Sequence, residues 1–237
     1  MLKNLIKVSK INMSDKTFVS LTKNNLLEMH FSKEFKDFLQ DPRFQELANA
    51  FLNYQNVLDL ILFLDFNNTK RQNSTFIVNI VVLFDAYKKE SVENEINHKL
   101  KEAFSNIDFK ITGALQEELF SSSFSLRERV FFEGFSMQHS AFLCSLMGLS
   151  SFFLFKYSLS SLNNSQRMQF YYGLYGRNKE GGLIDKTGAL KLSDSLILCP
   201  LVGKNDFEAF FKERGIFYEA SPILLPLSSF QNGFLKD

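Results

Sequence analysis

A chain of 237 residues with 45% hydrophobic and 22% charged side chains has enough apolar material to fold around a core, which excludes a disordered segment. Its formal net charge of +1 gives no global basic field of the kind a general nucleic-acid binder carries, leaving only local patches. The two cysteines, Cys144 and Cys199, lie far apart in apolar runs without a C-x-x-C pair. This argues against zinc or redox chemistry and for buried thiols in a reducing compartment.

The length suits one large domain, or a domain with a smaller appendage. Phe is abundant at 28 residues and Trp is absent, a bias that carries no functional meaning by itself. The opening "MLKNLIKVSK" has no continuous apolar stretch and no small-residue cleavage site, so no signal peptide is expected. The greasiest run, Ala141 to Phe155, is interrupted by serines and falls short of the roughly 20 apolar residues that cross a bilayer. A soluble, cytoplasmic protein without a membrane partner is expected.

In chain order, "KTFVSLT" reads as a short strand. "SKEFKDFLQD" reads as a helix with Ser32 as N-cap. Asp41-Pro42 predicts the start of a second helix that hides Phe44, Leu47, Phe51 and Leu52. Two strands follow, Val57 to Leu64 and Phe76 to Phe84. A helix capped at Ser91 comes next, with Val92, Ile96, Leu100 and Phe104 on one face. "IDFKIT" is a third strand, "LQEELF" a helical turn, and "SLRERVFFEGFSMQHSAFLCSLMG" a long, mostly buried helical region. Alternating strands and helices predict an α/β or α+β domain with a mixed sheet. Beyond Gly148 the texture changes. "NSQRMQFYYGLYGR" predicts a helix closed by Gly176, "NKEGGLIDKTG" a glycine-rich breaker, "DSLILCPLV" a strand, "NDFEAFFKERG" a helix capped at Asn205, and "IFYEASPILLP" an extended segment. Two units are expected, residues 1–148 and a smaller α+β module at 149–237.

Strand, loop, strand, helix and a strand opening on "IDFKI" together resemble the nucleotidyltransferase superfamily, the group that contains DNA polymerase beta. In that family the first strand ends in Gly-Ser, an Asp-x-Asp pair on the second strand binds two metals, and a third carboxylate stands on a later strand. Two divalent ions need several hard oxygen ligands on adjacent strands, and a Gly-Ser turn lets backbone amides approach a triphosphate. Here the Gly-Ser place falls at Leu64-Asp65. After 11 further residues the Asp-x-Asp place falls at Ile77 and Asn79, and Asp108 stands where the third carboxylate belongs. "RERVFFEGF", Arg127 to Phe135, resembles the helix after that strand in small family members. The spacing fits and the ligands do not, because Ile77 offers no oxygen and Asn79 only a neutral carbonyl. The resemblance, over about residues 45–147, implies a nucleotidyltransferase-type fold emptied of catalysis, with no cofactor. Mg²⁺ enters only in the alternative of an active enzyme using Asp65 and Asp108 with one metal.

A second cluster lies in "KYSLSSLNNSQRMQFYYGLYGRNKEGG". Lys156, Arg167, Arg177 and Lys179 are interleaved there with Tyr157, Phe170, Tyr171, Tyr172 and Tyr175, and Lys186 follows. Arg and Tyr beside a glycine-rich loop suit phosphate clamping and base stacking. The same pattern suits a helix that buries its aromatics under a solvated basic face. This portion resembles the appended domain of some archaeal nucleotidyltransferase-like proteins, a likeness that brings no chemistry with it. His30, His98 and His139 lack metal spacing, "EGFS" is no nucleophile elbow, and "YGRNKEGG" lacks the P-loop ending. Glu117 and Glu118 could form an acid pair but suit a solvated helix start better. The expected function is non-catalytic binding of RNA or DNA, a nucleotide or a protein partner. Lys156, Arg167, Tyr175, Arg177, Lys179 and Lys186 are the contact candidates. A structural subunit of a protein complex remains the other alternative.

Overall fold

The computed structural model of the chain describes residues 33–65, 77–177 and 180–228. The expected strand "KTFVSLT", the Ser32 cap and Phe76 lie outside these residues. Among the described residues no helix is long and apolar enough to cross a membrane.

Two helices come first, α1 (Lys33–Gln40) and α2 (Pro42–Leu52). Asp41 caps α2 as its sequence predicts: its carboxylate accepts from the Arg43 N–H at 2.8 Å, and Pro42 takes the first helical position. Phe44, Ala48 and Phe51 are buried, with Leu47 and Leu52 packed at the margin. Strands β1 (Val57–Asp65) and β2 (Ile77–Phe84) then pair antiparallel. Helix α3 (Glu90–Ala103) crosses over to β3 (Asp108–Leu115), which runs parallel to β2.

Helix α3 buries Val92, Ile96 and Leu100, with Phe104 at its end, on the face their four-residue spacing defines. Its start differs from expectation. Lys89 is the N-cap, and Ser91 lies inside the first turn without capping anything. The Lys89 carbonyl already accepts from Val92 and Glu93, and the Glu93 carboxylate is drawn to the Gly113 N–H of β3 at 2.9 Å. A Cβ at Gly113 would stand 2.1 Å from that carboxylate, so the tie requires glycine.

The expected long helix after β3 is broken. A 3-10 turn (Glu118–Phe120) precedes a seven-residue α4 (Arg127–Glu133). The chain then forms a small hairpin, β4 (Phe135–Ser136) and β5 (Ala141–Phe142), before α5 (Leu143–Leu146). Gly134 makes the break possible, because a Cβ there would meet the Val130 carbonyl at 2.2 Å and Ile61 Cγ2 at 2.7 Å. With no side chain in the way, β4 comes close enough to pair with β1. The first sheet is therefore mixed, in the order β3-β2-β1-β4-β5. One face, with Leu60, Leu62, Leu64, Val78, Ile80 and Phe109, packs on the first three helices. The other, with Ile61, Phe63, Val81 and Leu83, packs on Val130 and Leu119.

A second, antiparallel sheet has the order β11-β6-β10-β9. Its strands are β6 (Leu149–Ser158), β9 (Leu190–Ser193), β10 (Leu196–Pro200) and β11 (Phe217–Pro226). Helices α6 (Asn164–Tyr175) and α8 (Lys204–Glu213) supply Phe170, Leu174, Phe207 and Phe211 to a core with Phe155 and Ile197. Between them lie the short hairpin β7 (Gly176–Arg177) and β8 (Glu180–Gly181), then α7 (Leu183–Thr187). Gly176, at φ 87°, ends α6 as expected. Asn205 does not cap α8. A 3-10 turn (Leu201–Gly203) leads directly into the helix, which makes Gly203 the boundary residue.

One buried acid holds the β4–β5 hairpin to β1. Asp59, 5% exposed, accepts from the Leu60 N–H at 2.7 Å, the Gln138 N–H at 3.0 Å and the Ser136 hydroxyl at 2.5 Å. Burial pushes its carboxyl above the usual range, against those three donors and the nearby His139. A carboxyl that holds its proton more tightly when folded loses stability as pH rises from the ordinary carboxylate range through the folded value. Asp59→Asn keeps the Oδ1 acceptor and removes the charge, so its melting temperature should fall less across that window than the parent's. Asp59→Ala should cost about 1–3 kcal/mol at every pH, because two buried N–H groups lose their acceptor. Thermal unfolding from pH 4 to 8 checks both, and a parallel pH dependence of parent and Asn variant would refute the assignment.

Candidate functional site

The strand register sets out the first candidate surface. Asp65 pairs with Ile77 across β1 and β2, and Ile77 pairs with Asp108 across β2 and β3. One step behind them, Phe63, Asn79 and Lys110 form the next row. Side chains alternate along a strand, so both rows share the face that α4 covers, whereas Leu64 points into the opposite core.

This face is charged, and its charges are internally matched. Lys110 Nζ lies 3.3 Å from Asp65 Oδ2. From α4, Arg129 pairs with Glu133 at 2.5 Å, donates to the Leu64 carbonyl and sets its guanidinium 4.6 Å from the Phe63 ring centre. Burial pushes the Glu133 carboxyl up, Arg129 and Lys204 oppose that shift, and Asp65 adds to it. Asn79 is 5% exposed, and its side-chain N–H group has no hydrogen-bond partner among the described residues.

The two divalent ions that the resemblance implies do not fit this donor set. Ile77 has no ligand atom, Asn79 is neutral, and the ammonium of Lys110 already sits on Asp65. Among the described residues, no three His, Cys, Asp or Glu side chains gather as ligands of one metal ion. The two cysteines are buried free thiols. Of the two acids expected to face water at a helix start, Glu117 is exposed, whereas Glu118 accepts from the Leu115 N–H and pairs with Lys88 at 2.8 Å.

The second candidate surface is the C-terminal end of α6. The helix starts at a reciprocal capping box between Asn163 and Gln166, both bonds 2.9 Å. Phe170 and Leu174 point into the core, and Gly173 lets the Phe210 ring approach. Tyr171 and Tyr175 stack at 6.0 Å between centroids, 19° apart. Tyr172 and Tyr175 remain 42% and 38% exposed. The Arg177 guanidinium lies 5.3 Å over Tyr172, and Lys191 Nζ lies 5.6 Å over Tyr175 while pairing with Asp194 at 2.7 Å. Beneath them Tyr157 of β6 is 3% exposed, and its hydroxyl has no hydrogen-bond partner among the described residues. Burial, then Tyr175, Tyr171 and Asp194, push that hydroxyl's ionisation upward.

The structure brings some of the sequence candidates together and separates others. Tyr175 and Arg177 meet at the α6 end. Lys156 does not join them, because it alternates with Phe155 and Tyr157 along β6 and points away from the helices, between Leu196 and Glu219 on neighbouring strands. Arg167 is two turns back, donating to the Leu162 carbonyl at 3.1 Å. Lys186 is exposed on α7, and Lys179 lies outside the described residues. Sequence reasoning passed over Lys110, Arg129, Glu133 and Lys191. Lys110 was legible as the residue two along from Asp108 on the same strand face, and Arg129 and Glu133 as a pair four apart inside "RERVFFEGF". A groove of about 420 Å³ between α6 and α8, lined by Leu162, Gln166, Gln169, Phe170, Glu213 and Arg214, belongs to neither surface.

Protein-family models, curated proteins and solved structures yield no match to this chain. Among the described residues the architecture is mixed α/β, with a five-stranded sheet, a four-stranded sheet and the β7–β8 hairpin.

Arg129→Met leaves Glu133 buried without its pair and the Leu64 carbonyl without its donor. A cost on the order of 2–3 kcal/mol is expected, less than for a fully enclosed pair because the guanidinium is about one-third exposed. The double variant Arg129→Met/Glu133→Gln should recover part of that loss. Urea unfolding measures both, and a double variant no better than the single would break the pairing argument.

Proposed function

We propose that this chain is a non-catalytic protein of nucleotidyltransferase-like fold that binds nucleic acid through the end of α6. Two features support the fold reading. Strands β1, β2 and β3 lie in one mixed sheet with β2 and β3 parallel, and Asp65, Ile77 and Asp108 line up at one strand end. The non-catalytic part rests on the composition of that line. An isoleucine and a buried asparagine occupy two ligand places, and Lys110 and Arg129 supply fixed positive charge where mobile metal would otherwise sit. Two-metal chemistry needs several anionic oxygens held in tight geometry, and this face offers its carboxylates to lysine and arginine instead.

The observation that carries the binding reading is the pair of half-exposed tyrosines with cations over their rings, Tyr172 with Arg177 and Tyr175 with Lys191. Aromatic faces beside guanidinium and ammonium groups take bases and phosphates together. On a chain of net charge +1, such a local patch is where an anionic polymer gains most.

Two measurements test the two halves. Thermal unfolding with ATP, with and without Mg²⁺, should give no metal-dependent shift. A ligand at 100 times its dissociation constant would add about 2.7 kcal/mol and be plain to see, so a Mg²⁺-dependent shift would overturn the non-catalytic reading. Fluorescence anisotropy with labelled RNA should give an affinity that falls with salt, and Arg177→Ala should reduce the logarithmic salt slope by about one. Absence of binding at low salt, or a salt-resistant protein co-purifying in fixed ratio, would point to a structural subunit.

A further inference from the structure

We infer that the nucleic acid taken at the end of α6 is single-stranded, with unpaired bases stacking on Tyr172 and Tyr175 and a base edge reaching the Tyr157 hydroxyl. The inference rests on the nucleic-acid reading above and narrows it.

The supply of cations at this surface argues against a duplex. A double helix presents phosphates outward and hides its base faces in its own stack, so a protein must hold it by neutralising many phosphates. Here the Arg177 guanidinium lies over the half-exposed Tyr172 ring, whereas Lys191 is committed to Asp194 at 2.7 Å. Lys156, the nearest basic residue along β6, faces the other side of the sheet. Among the described residues, so small a group of cations at the end of α6 favours a ligand held by its bases over a duplex held by its phosphates. Affinity has to come from the rings, and only unpaired bases present faces to them.

The geometry of the rings fits that use. Tyr172 and Tyr175 lie three residues apart on the last part of α6, and both are part-exposed. The Arg177 guanidinium, 5.3 Å from the Tyr172 centroid, is itself a flat group on which a heterocycle can stack beside the ring. Tyr171 backs Tyr175 in a near-parallel stack, so the outer ring is held in orientation before any ligand arrives.

Tyr157 adds a second, independent indication. Its ring is packed between Phe170 and Phe211, at 5.4 and 5.3 Å, and cannot swing to water. Its hydroxyl is buried and, among the described residues, has no hydrogen-bond partner; burial, then the charges of Tyr175, Tyr171 and Asp194, push its ionisation upward. A buried hydroxyl left unbonded is costly in a folded protein. In this proposal a base seated against Tyr175 brings a ring nitrogen or exocyclic oxygen within reach of the hydroxyl, which donates to it.

The test is anisotropy titration of the full chain at low salt with a labelled 20-nucleotide single strand and with the same strand annealed to its complement. The single strand should bind at least tenfold more tightly than the duplex. Tyr172→Leu and Tyr175→Leu should each weaken single-strand binding roughly tenfold with an unchanged salt slope, in contrast to Arg177→Ala. Tyr157→Phe deletes only the unpaired hydroxyl, so it should keep or raise the melting temperature while losing several-fold in affinity; unchanged affinity would remove the hydroxyl contact from the site. If the leucine variants unfold, the parent chain still decides the matter, because 2-aminopurine placed in the strand should be quenched as it stacks. Equal or tighter duplex binding, or no quenching, overturns the single-strand inference and leaves the nucleic-acid reading standing. Failure to bind either form overturns the nucleic-acid reading itself.

Discussion

The structure depends first on the burial of β1 and β2 on both faces. From Leu60 to Leu64, and from Ile77 to Leu83 with the exception of Asn79, every side chain in this pair is apolar and nearly all are inaccessible. Three helices press on one side and α4 on the other. A strand with one wet face tolerates a register slip at the expense of exchanging its faces; a strand enclosed twice has no wet face to exchange into. Both rows at the strand ends, Asp65–Ile77–Asp108 and Phe63–Asn79–Lys110, inherit their alignment from that enclosure. The polar surface is thus a by-product of the apolar centre, and its geometry is only as loose as the central pair allows.

Charge at that edge follows from where α4 comes to rest. Gly134 ends the helix after seven residues, and the hairpin beyond it is tied to β1 by Asp59. Those two constraints hold Arg129 over Phe63 and against the Leu64 carbonyl. Arg129 is consequently a structural cation, fixed by backbone, ring and Glu133 at once. Lys110 is held more lightly, half exposed and at 3.3 Å from its partner. A surface of this type, with its charges already satisfied, repels neither anion nor cation strongly. That is the physical reason for assigning ligand binding to the α6 end, where rings and a guanidinium face solvent.

The parts of the fold readable in sequence were those where local pattern and tertiary burial agree. The apolar runs of β1 and β2, the four-residue period of Val92, Ile96 and Leu100, the Asp41-Pro42 start and the Gly176 stop each have a local cause that the fold keeps. Where a long-range partner decides, sequence misled. Residues 127–146 carry enough apolar side chains for a helix, but pairing with β1 converts their middle into two short strands. Ser91 and Asn205 are good capping residues, yet other contacts had already set the caps two residues earlier, at Lys89 and Gly203. At the candidate sites the same division holds. The positions of Asp65, Ile77, Asn79 and Asp108 could be read from spacing. The long-range contacts made there could not, because Lys110 meets Asp65 across 45 residues and Arg129 meets the Leu64 carbonyl across 65. Lys156 was grouped with the tyrosines because it precedes Tyr157, and for a strand that adjacency places it on the opposite face.

The two surfaces are not mechanically independent. Lys204 begins α8, lies 4.6 Å over the Phe153 ring of β6 and contributes to the field at Glu133 on α4. Phe132 of α4 meets Phe153 edge to face at 5.2 Å, and the Ser151 hydroxyl donates to the Phe132 carbonyl. One short stretch of helix thus touches the charged strand end through Arg129 and Glu133, and the second sheet through Phe132. The same β6 strand that receives Phe132 carries Tyr157 four residues beyond Phe153, under the tyrosine stack. Close-packed side chains transmit small displacements because neighbouring voids are too small to absorb them. An arrangement in which the strand end is filled by its own ion pairs therefore gives the aromatic surface a rigid floor. A rigid floor suits a stacking site, since a ring already held in place gives up little freedom when a base settles on it.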